Sequence, residues 1–460
     1  MATTASGTPA QARLRRTLTL GDLILYGVIV IQPVAPMSVF GVLSQRGHGH
    51  VVTTILIAMV AMLFTAISYG RMARAYPSAG SAFTYVGQEI NPALGYVTGW
   101  SMVMDYMLNP MICAIWCSQQ AHDFAPGVPY PAWAIFFALV FTGLNVQGVK
   151  TSARVNTGLA AAMGVVIAIF FVAAARYIFG HPHDGAGFLT RPFYDPQTWN
   201  ARAVLGGTSV AVLTYIGFDG ISTLSEEAEN PRRNILLATV LTCVVIGLLS
   251  AVEVYAAQLI WPTSRPFPNM DTAFVHVAKE AWKPLSAIVG FTLVVANFGS
   301  GMGAQLGAAR LLYGMGRSSA LPQSFFGVVD AKRRVPRNGV LFIGGLTVAG
   351  AFLLPWAAGS QGTGYELGAN LLNFGALIAF MGVNAAAFVR YYQRAEKKKL
   401  SNLLPPILGF TICLVLWWNL STKARIFGAI WMAVGIIFGA IKTRGFRGNL
   451  IDFDVPPEEA

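Results

Sequence analysis

The chain has 460 residues, of which 55% are hydrophobic and only 11% charged, with a mean hydropathy of +0.56. That is more apolar length than a soluble core needs, and it falls into blocks of roughly 18 to 28 residues, the length that crosses a hydrocarbon layer as a helix. The net charge of +12 raises nucleic acid as a partner, but the basic residues are confined to alternate loops, which argues against nucleic-acid binding and for a membrane protein with one basic face.

The first eighteen residues are polar and small, without the charged-then-apolar stretch and cleavage site of a signal peptide, so 1–18 is expected to be a disordered cytoplasmic tail. About twelve spans follow. The first, Leu20 to Leu43, is interrupted at Gln32-Pro33-Val34-Ala35-Pro36. Val52 to Met72, Leu94 to Ser118, Ala132 to Val149 and Gly158 to Phe179 come next. The sixth, Val204 to Ser225, is broken in turn at Ile216-Gly217-Phe218-Asp219-Gly220. Leu236 to Trp261, Leu285 to Leu312, Gly339 to Trp356 and Leu367 to Phe388 repeat the plan, and Leu404 to Leu420 and Ile426 to Ile441 look appended. The expected layout is a ten-helix transport core over 19–394, two appended helices with their loop over 395–442, and a cytoplasmic tail over 443–460.

Lipid offers no partner to a freed amide or carbonyl, so helix breakers at mid-membrane depth are tolerated mainly where the loosened backbone lines a cavity. Two such breaks in corresponding positions of two halves point to a transport site. The basic loops carry Arg13, Arg15 and Arg16; Arg71 and Arg74; Lys150 and Arg154; Arg232 and Arg233; Lys332, Arg333, Arg334 and Arg337; Arg394 and Lys397 to Lys399; and Lys442, Arg444 and Arg447. By the positive-inside rule they mark the cytoplasmic face and put both termini there.

Polar residues inside the apolar spans are the candidates for function, because each costs several kcal/mol unless paired, hydrated or protonated. In the first break these are Gln32 and Ser38, with Val34, Ala35 and Met37 around them; Pro33 and Pro36 have no amide hydrogen to offer a ligand. In the second break Asp219 has two readings: it attracts a substrate amine or takes up a proton, or it caps the freed amides. Tyr215, Ile216 and Phe218 would add carbonyls and an aromatic wall for a cation. Asp105 sits mid-span one turn before Asn109, so carboxylate and amide share a helix face. Asn297 and Asn373 either reach the pocket or bridge two helices. Glu253 lies toward the outer end of the seventh span.

Other signals are weaker. Cys113, Cys117, Cys243 and Cys413 read as packing residues. His48, His50, His181 and His183 have no carboxylate or thiol to complete a metal site and read as solvated loop histidines. The glycines of the eighth span, Gly299, Gly301, Gly303 and Gly307, follow no strand and read as a close-packing face beside Ser300, so no nucleotide cofactor is expected. Glu226, Glu227 and Glu229 read as an ion-pairing cluster at the inner mouth or as a solvated charge run. No catalytic triad emerges, and no enzyme is expected.

Three stretches carry a family resemblance: LFTAISYGRMARAYPSAGSAFTYVGQEINPALGYVTGW from Leu63 to Trp100, YIGFDGISTLSEEAENPRRN from Tyr215 to Asn234, and RLLYGMGRSSALP from Arg310 to Pro322. The chain resembles the amino acid, polyamine and organocation transporter superfamily, and within it bacterial putrescine-importer-type permeases. The resemblance implies an all-α polytopic membrane protein of the LeuT-type fold, with five-plus-five inverted repeats, broken first and sixth helices, and a substrate site between spans one, three, six, eight and ten. It also implies alternating access. In amino-acid-carrying members the first break is glycine-rich and holds the substrate carboxylate on its amides, a function that Pro33 and Pro36 weaken here. Asp219 matches an acidic gate position, and Asp105 matches an acidic position of polyamine importers. Ser38 stands where polyamine-type relatives tend to have a further carboxylate, which argues for a single positive charge on the substrate. Met163 stands where proton-coupled members often have lysine, so Asp219, Asp105 or Glu253 would carry a proton, or the protein would exchange substrates. The resulting expectation is a secondary transporter of the bacterial inner membrane that imports a small organic cation, an amine or polyamine such as putrescine. An amino acid permease or exchanger of the same fold is the alternative. The partners are that substrate, a coupled proton or counter-substrate, and the lipid bilayer.

Overall fold

The computed structural model describes residues 18–443 and 445, apart from 77–80, 149–152, 183–184, 186, 225–227, 318–320, 331, 334 and 360–361. The two tails, Lys150, His183, Glu226, Glu227 and Arg334 therefore lie outside the described residues. Among those described there is no strand beyond a single bridge between Leu18 and Ala228. The helices are α1 (Leu20–Ile31), α2 (Ala35–Arg46), α3 (Val51–Ala75), α4 (Ser81–Glu89), α5 (Pro92–Phe124), α6 (Tyr130–Gln147), α7 (Ala153–Gly180), α8 (Ala201–Ala211), α9 (Pro231–Ile260), α10 (Ala273–Ala281), α11 (Leu285–Arg317), α12 (Gln323–Phe326), α13 (Arg337–Ala358), α14 (Gly364–Phe388), α15 (Leu400–Trp418) and α16 (Thr422–Lys442). Ten spans among the described residues are long and apolar enough to cross a membrane, and the bent pair α1–α2 adds one more. The 33-residue α5 is about 50 Å long at 1.5 Å per residue, but its polar residues leave it outside that apolar set.

Local chemistry sets where these helices start and stop. Thr19 and Asp22 form a reciprocal capping box that starts α1. Its end is dictated by Pro33, which disfavours helical geometry in the residue before it. Gln32 accordingly takes a left-handed backbone, φ 69°. The chain then turns and restarts as α2, bent 49° from α1, with Pro36 in the first turn where its missing amide costs nothing. The sixth span is interrupted differently. α8 stops at Ala211 and is followed by tight 3-10 turns over Val212–Tyr215 and Phe218–Leu224, separated by extended Ile216 and by Gly217 at φ 122°. Gly217 is needed there, since a Cβ would run into Val30 and Ile31 of α1.

Packing is densest around α5, α14 and α3. α3 lies along α9, α5 between α11 and α14, and α2 along α8. α15 and α16 are peripheral: 22% of their apolar stretch is buried, against 67% for α14 and for the sixth span. All four cysteines are buried and unpaired. His50 departs from the solvated loop residue read from the sequence: it is buried, with Nδ1 2.9 Å from the Gly47 carbonyl and Nε2 accepting the Asp195 amide at 3.1 Å. It pins the segment before α8 to the end of α2, while His48 remains exposed.

Antiparallel alternation brings the ends of α3, α6, α11, α14 and α16 to one face with the starts of α1, α7, α9, α13 and α15. That is the face of the basic loops. The opposite face carries the end of α2, the segment from Trp261 to Thr272, and α10.

Candidate substrate site

The first break is fastened to α11. Gln32 Nε2 donates to the Ala296 carbonyl at 2.6 Å, and Asn297 Nδ2 donates to Ser38 Oγ at 3.1 Å and to the Leu293 carbonyl at 2.9 Å. The amides at the break are largely spent: Ala35 donates to the Gln32 carbonyl and Met37 to the Val34 carbonyl, while Pro33 and Pro36 have none. Val34 and Met37 are buried, and Ala35 is partly accessible. A helix N-terminus ordinarily offers such amides to an anion, and here few remain.

In the second break the Asp219 carboxylate accepts the Gly217 amide at 3.3 Å, the capping role that its position allows. Tyr215 is buried with its hydroxyl on the Ile55 carbonyl at 2.9 Å, and Phe218 packs among Tyr69 and Phe380. Tyr215 thus faces α3 and Phe218 faces α3 and α14, whereas Ile216, Gly217 and Gly220 keep accessible surface. Asn373 Nδ2 donates to the Ser209 and Val210 carbonyls, satisfying backbone at the end of α8 and tying α14 to it. Glu253 lies apart, fully buried in α9, with neither carboxylate oxygen hydrogen-bonded.

Asp105 and Asp219, from α5 and the second break, are close enough to interact electrostatically. Tyr106 interacts with both carboxylates and with Tyr26 of α1, and its ring lies against Gly307 of α11. Asn109 Oδ1 accepts Ser300 Oγ of α11 at 3.3 Å. Among the described residues no lysine or arginine pairs with Asp105 or Asp219. Two carboxyl groups in a low-dielectric interior without a base are relieved either by taking up a proton or by a cation beside them. Tyr106, Tyr26 and Tyr69 were not singled out in the sequence, where an aromatic in an apolar run reads as core; the clue available was the adjacency of Tyr106 to Asp105.

Accessibility around this centre is one-sided. Tyr26, Tyr106, Asn109, Gly220, Ser300 and Gly307 are partly accessible, and Tyr26, Gly220 and Gly307 lie toward the basic face. On the opposite side every residue of 36–44, 110–118 and 364–377 is buried.

An all-helical bundle built around interrupted spans and a buried acidic centre is the construction of a polytopic membrane transporter. The chain belongs to the amino acid permease family, whose pattern matches residues 34–445. It is 33% identical over 459 residues to the low-affinity putrescine importer PlaP of Escherichia coli, covering 97% of both chains. It is 26% identical over 465 residues to the branched-chain amino acid permease BcaP of Lactococcus lactis, covering 93% of this chain and 94% of that one. It is 24% identical over 471 residues to the methylthioribose transporter of Bacillus subtilis, covering 94% and 95%. The family and these relatives are permeases and transporters, and the protein is a multi-pass membrane transporter, not an enzyme.

Proposed function

We propose that the protein imports a small organic cation, an amine or polyamine such as putrescine, across the bacterial inner membrane by alternating access. The observation that carries the reading is the Asp105–Asp219 pair, two neighbouring carboxylates with no basic partner among the described residues. A substrate ammonium between them supplies the missing charge, and Tyr106, close to both, adds a polar tip and a π face. In this reading the two interacting carboxylates share one ammonium, with Asn109 and Ser300 as further polar groups along the same wall. Ser38, engaged by Asn297, supplies no second anionic anchor.

The fold supports a LeuT-type repeat in which α3 against α9 and α2 against α8 pair each segment with its counterpart five spans on. With the basic face cytoplasmic, both termini are cytoplasmic, and the one-sided accessibility corresponds to a site closed to the outside and reached from within. The amino acid alternative draws support from the BcaP likeness, but the spent amides of the first break leave little to hold a carboxylate.

The test is uptake of labelled putrescine and of branched-chain amino acids into proteoliposomes by the wild-type protein, Asp105→Asn and Asp219→Asn. Asparagine keeps an acceptor oxygen for the Gly217 amide and removes only the charge. Each variant is expected to weaken amine uptake by roughly 10- to 100-fold, the equivalent of about 1.5–3 kcal/mol for a hydrogen bond to a charged group. Unchanged amine uptake in both variants, or amino acid uptake with no amine uptake, would overturn the reading.

A further inference from the structure

On the face opposite the basic loops, the segment leading into α10 folds down onto the bundle and is held on three sides. Trp116 of α5 donates its indole N–H to the Asp271 carbonyl at 2.8 Å, and Thr272 donates to Asp123 Oδ2 at 2.7 Å. The Met270 carbonyl and Ala273 lie so close to Gly41 of α2 that no Cβ fits between them. The Phe40 ring meets Phe267 and Phe274 edge-on, with centroids 5.9 and 5.7 Å apart. On the third side stands the start of α14, where Glu366 pairs with Arg46 of α2.

Asp271 sits where these elements meet. It is 3% exposed, and its Oδ1 is buried without a hydrogen-bond partner. The groups facing it come from every neighbouring element: Thr363 capping α14, Tyr365 and Glu366 in its first turn, Asp123 from α5, and Tyr130 from α6. Arg46 is committed to Glu366, and on α10 His276 faces Asp123 with Lys279 beside it. Arg46 thus serves Glu366, and among the described residues no ion pair reaches Asp271, the carboxylate that has an orphaned oxygen and sits on the segment closing the face.

We propose that Asp271 is a proton-binding site that locks this face of the transport pathway: taking up a proton from the adjacent aqueous phase holds the segment down, and losing it releases the segment. The proposal rests on the transporter reading but not on the identity of the substrate. Burial pushes the Asp271 carboxyl up to about 7; the Thr363 hydroxyl opposes the rise, and Glu366 and Asp123 add to it. With the segment lifted, the carboxyl meets water and titrates near its ordinary value of about 3.9. The closed arrangement therefore binds the proton more tightly. Its preference is full below about pH 4, weakens by up to roughly tenfold per unit as the pH rises, and is lost above about pH 7.

The experiment places one cysteine at Ala369, buried on α14 a turn inward from Glu366, in a full-length protein with Cys113, Cys117, Cys243 and Cys413 replaced. Alkylation by a membrane-impermeant maleimide is followed from pH 4.5 to 8, corrected with the same cysteine in denatured protein. Labelling is expected to accelerate at least tenfold toward pH 7.5. In Asp271→Asn it should stay slow and nearly flat, in Asp271→Glu the pH dependence should return, and in His276→Gln it should be unchanged. Asp123→Asn, which keeps the Asp271 carboxyl, should move the transition to lower pH and stands in if Asp271→Asn does not fold. A transition that survives in Asp271→Asn, vanishes in His276→Gln, or is unmoved in Asp123→Asn overturns the proposal. Amine uptake measured in parallel judges the substrate separately, so a failed lock and a failed substrate assignment give different results.

Discussion

Tyr106 illustrates what a single side chain can contribute at this centre. Its hydroxyl is close to both Asp105 and Asp219, and its ring rests on Gly307, where a larger residue would displace it. A phenol beside a carboxylate pair can donate to one oxygen and leave the others for an ammonium. Tyr106→Phe removes the donor and keeps the packing, so the expected outcome is a rise in the KM for amine uptake of roughly five- to tenfold, about 1 kcal/mol, with the melting temperature unchanged. A lowered melting temperature with unchanged KM would make the hydroxyl structural. Asp105 and Asp219 could be picked out in the sequence because an ionisable group in an apolar run is costly and uncommon. The rings could not: Tyr215 and Phe218 lie close to Asp219 in the chain, yet a residue in a tight turn points according to that turn, Tyr215 toward α3 and Phe218 toward α3 and α14. Asn297 and Asn373 follow the same logic, since each amide meets the backbone or side-chain needs of a neighbouring segment.

Helices here are held by groups far apart in the chain, which is why the breaks could be read locally and the clamps could not. Proline and glycine announce an interruption within a few residues, whereas Glu89 gives no sign in sequence that its arginine partners lie some three hundred positions on. The Glu89 side chain at the end of α4 is 1% exposed and accepts from Arg390 at 2.6 Å, Arg394 at 2.8 Å and the Tyr76 hydroxyl at 2.7 Å. It joins α3, α4 and the end of α14 on the basic face. Both arginines keep contact with water, so the clamp is worth less than a fully buried ion pair. Glu89→Gln is expected to cost about 1–3 kcal/mol of stability, read as a melting temperature lowered by a few degrees in the purified protein. Arg394→Gln should cost less, because Arg394 is the more exposed partner. An equal loss in the two variants would mean that the contact with Arg390 contributes nothing of its own.

At the scale of the molecule, the apolar blocks, the paired interruptions and the basic face were all visible in composition and spacing, because a bilayer imposes length and charge rules on every span. The substrate is not written at that scale: relatives similar over nearly the whole chain are named for putrescine, branched-chain amino acids and methylthioribose. A substrate carboxylate would need free amides at the first break, and here Ala35 and Met37 spend theirs on the Gln32 and Val34 carbonyls beside two prolines. A ligand that binds only the folded state at a hundredfold over its Kd stabilises it by about 2.7 kcal/mol, enough to raise the melting temperature by a few degrees. Matched pairs therefore discriminate: ornithine with putrescine, lysine with cadaverine and valine with isobutylamine, with spermidine added as a longer amine. The amine of each pair carries the ammonium that Asp105 and Asp219 would hold and lacks the carboxylate for which few amides remain. Stabilisation by amines alone, lost in Asp105→Asn, is the expected result. Stabilisation by the amino acid partners alone would mean that the break rearranges to free its amides on binding, and the amino acid permease reading would then replace the amine one.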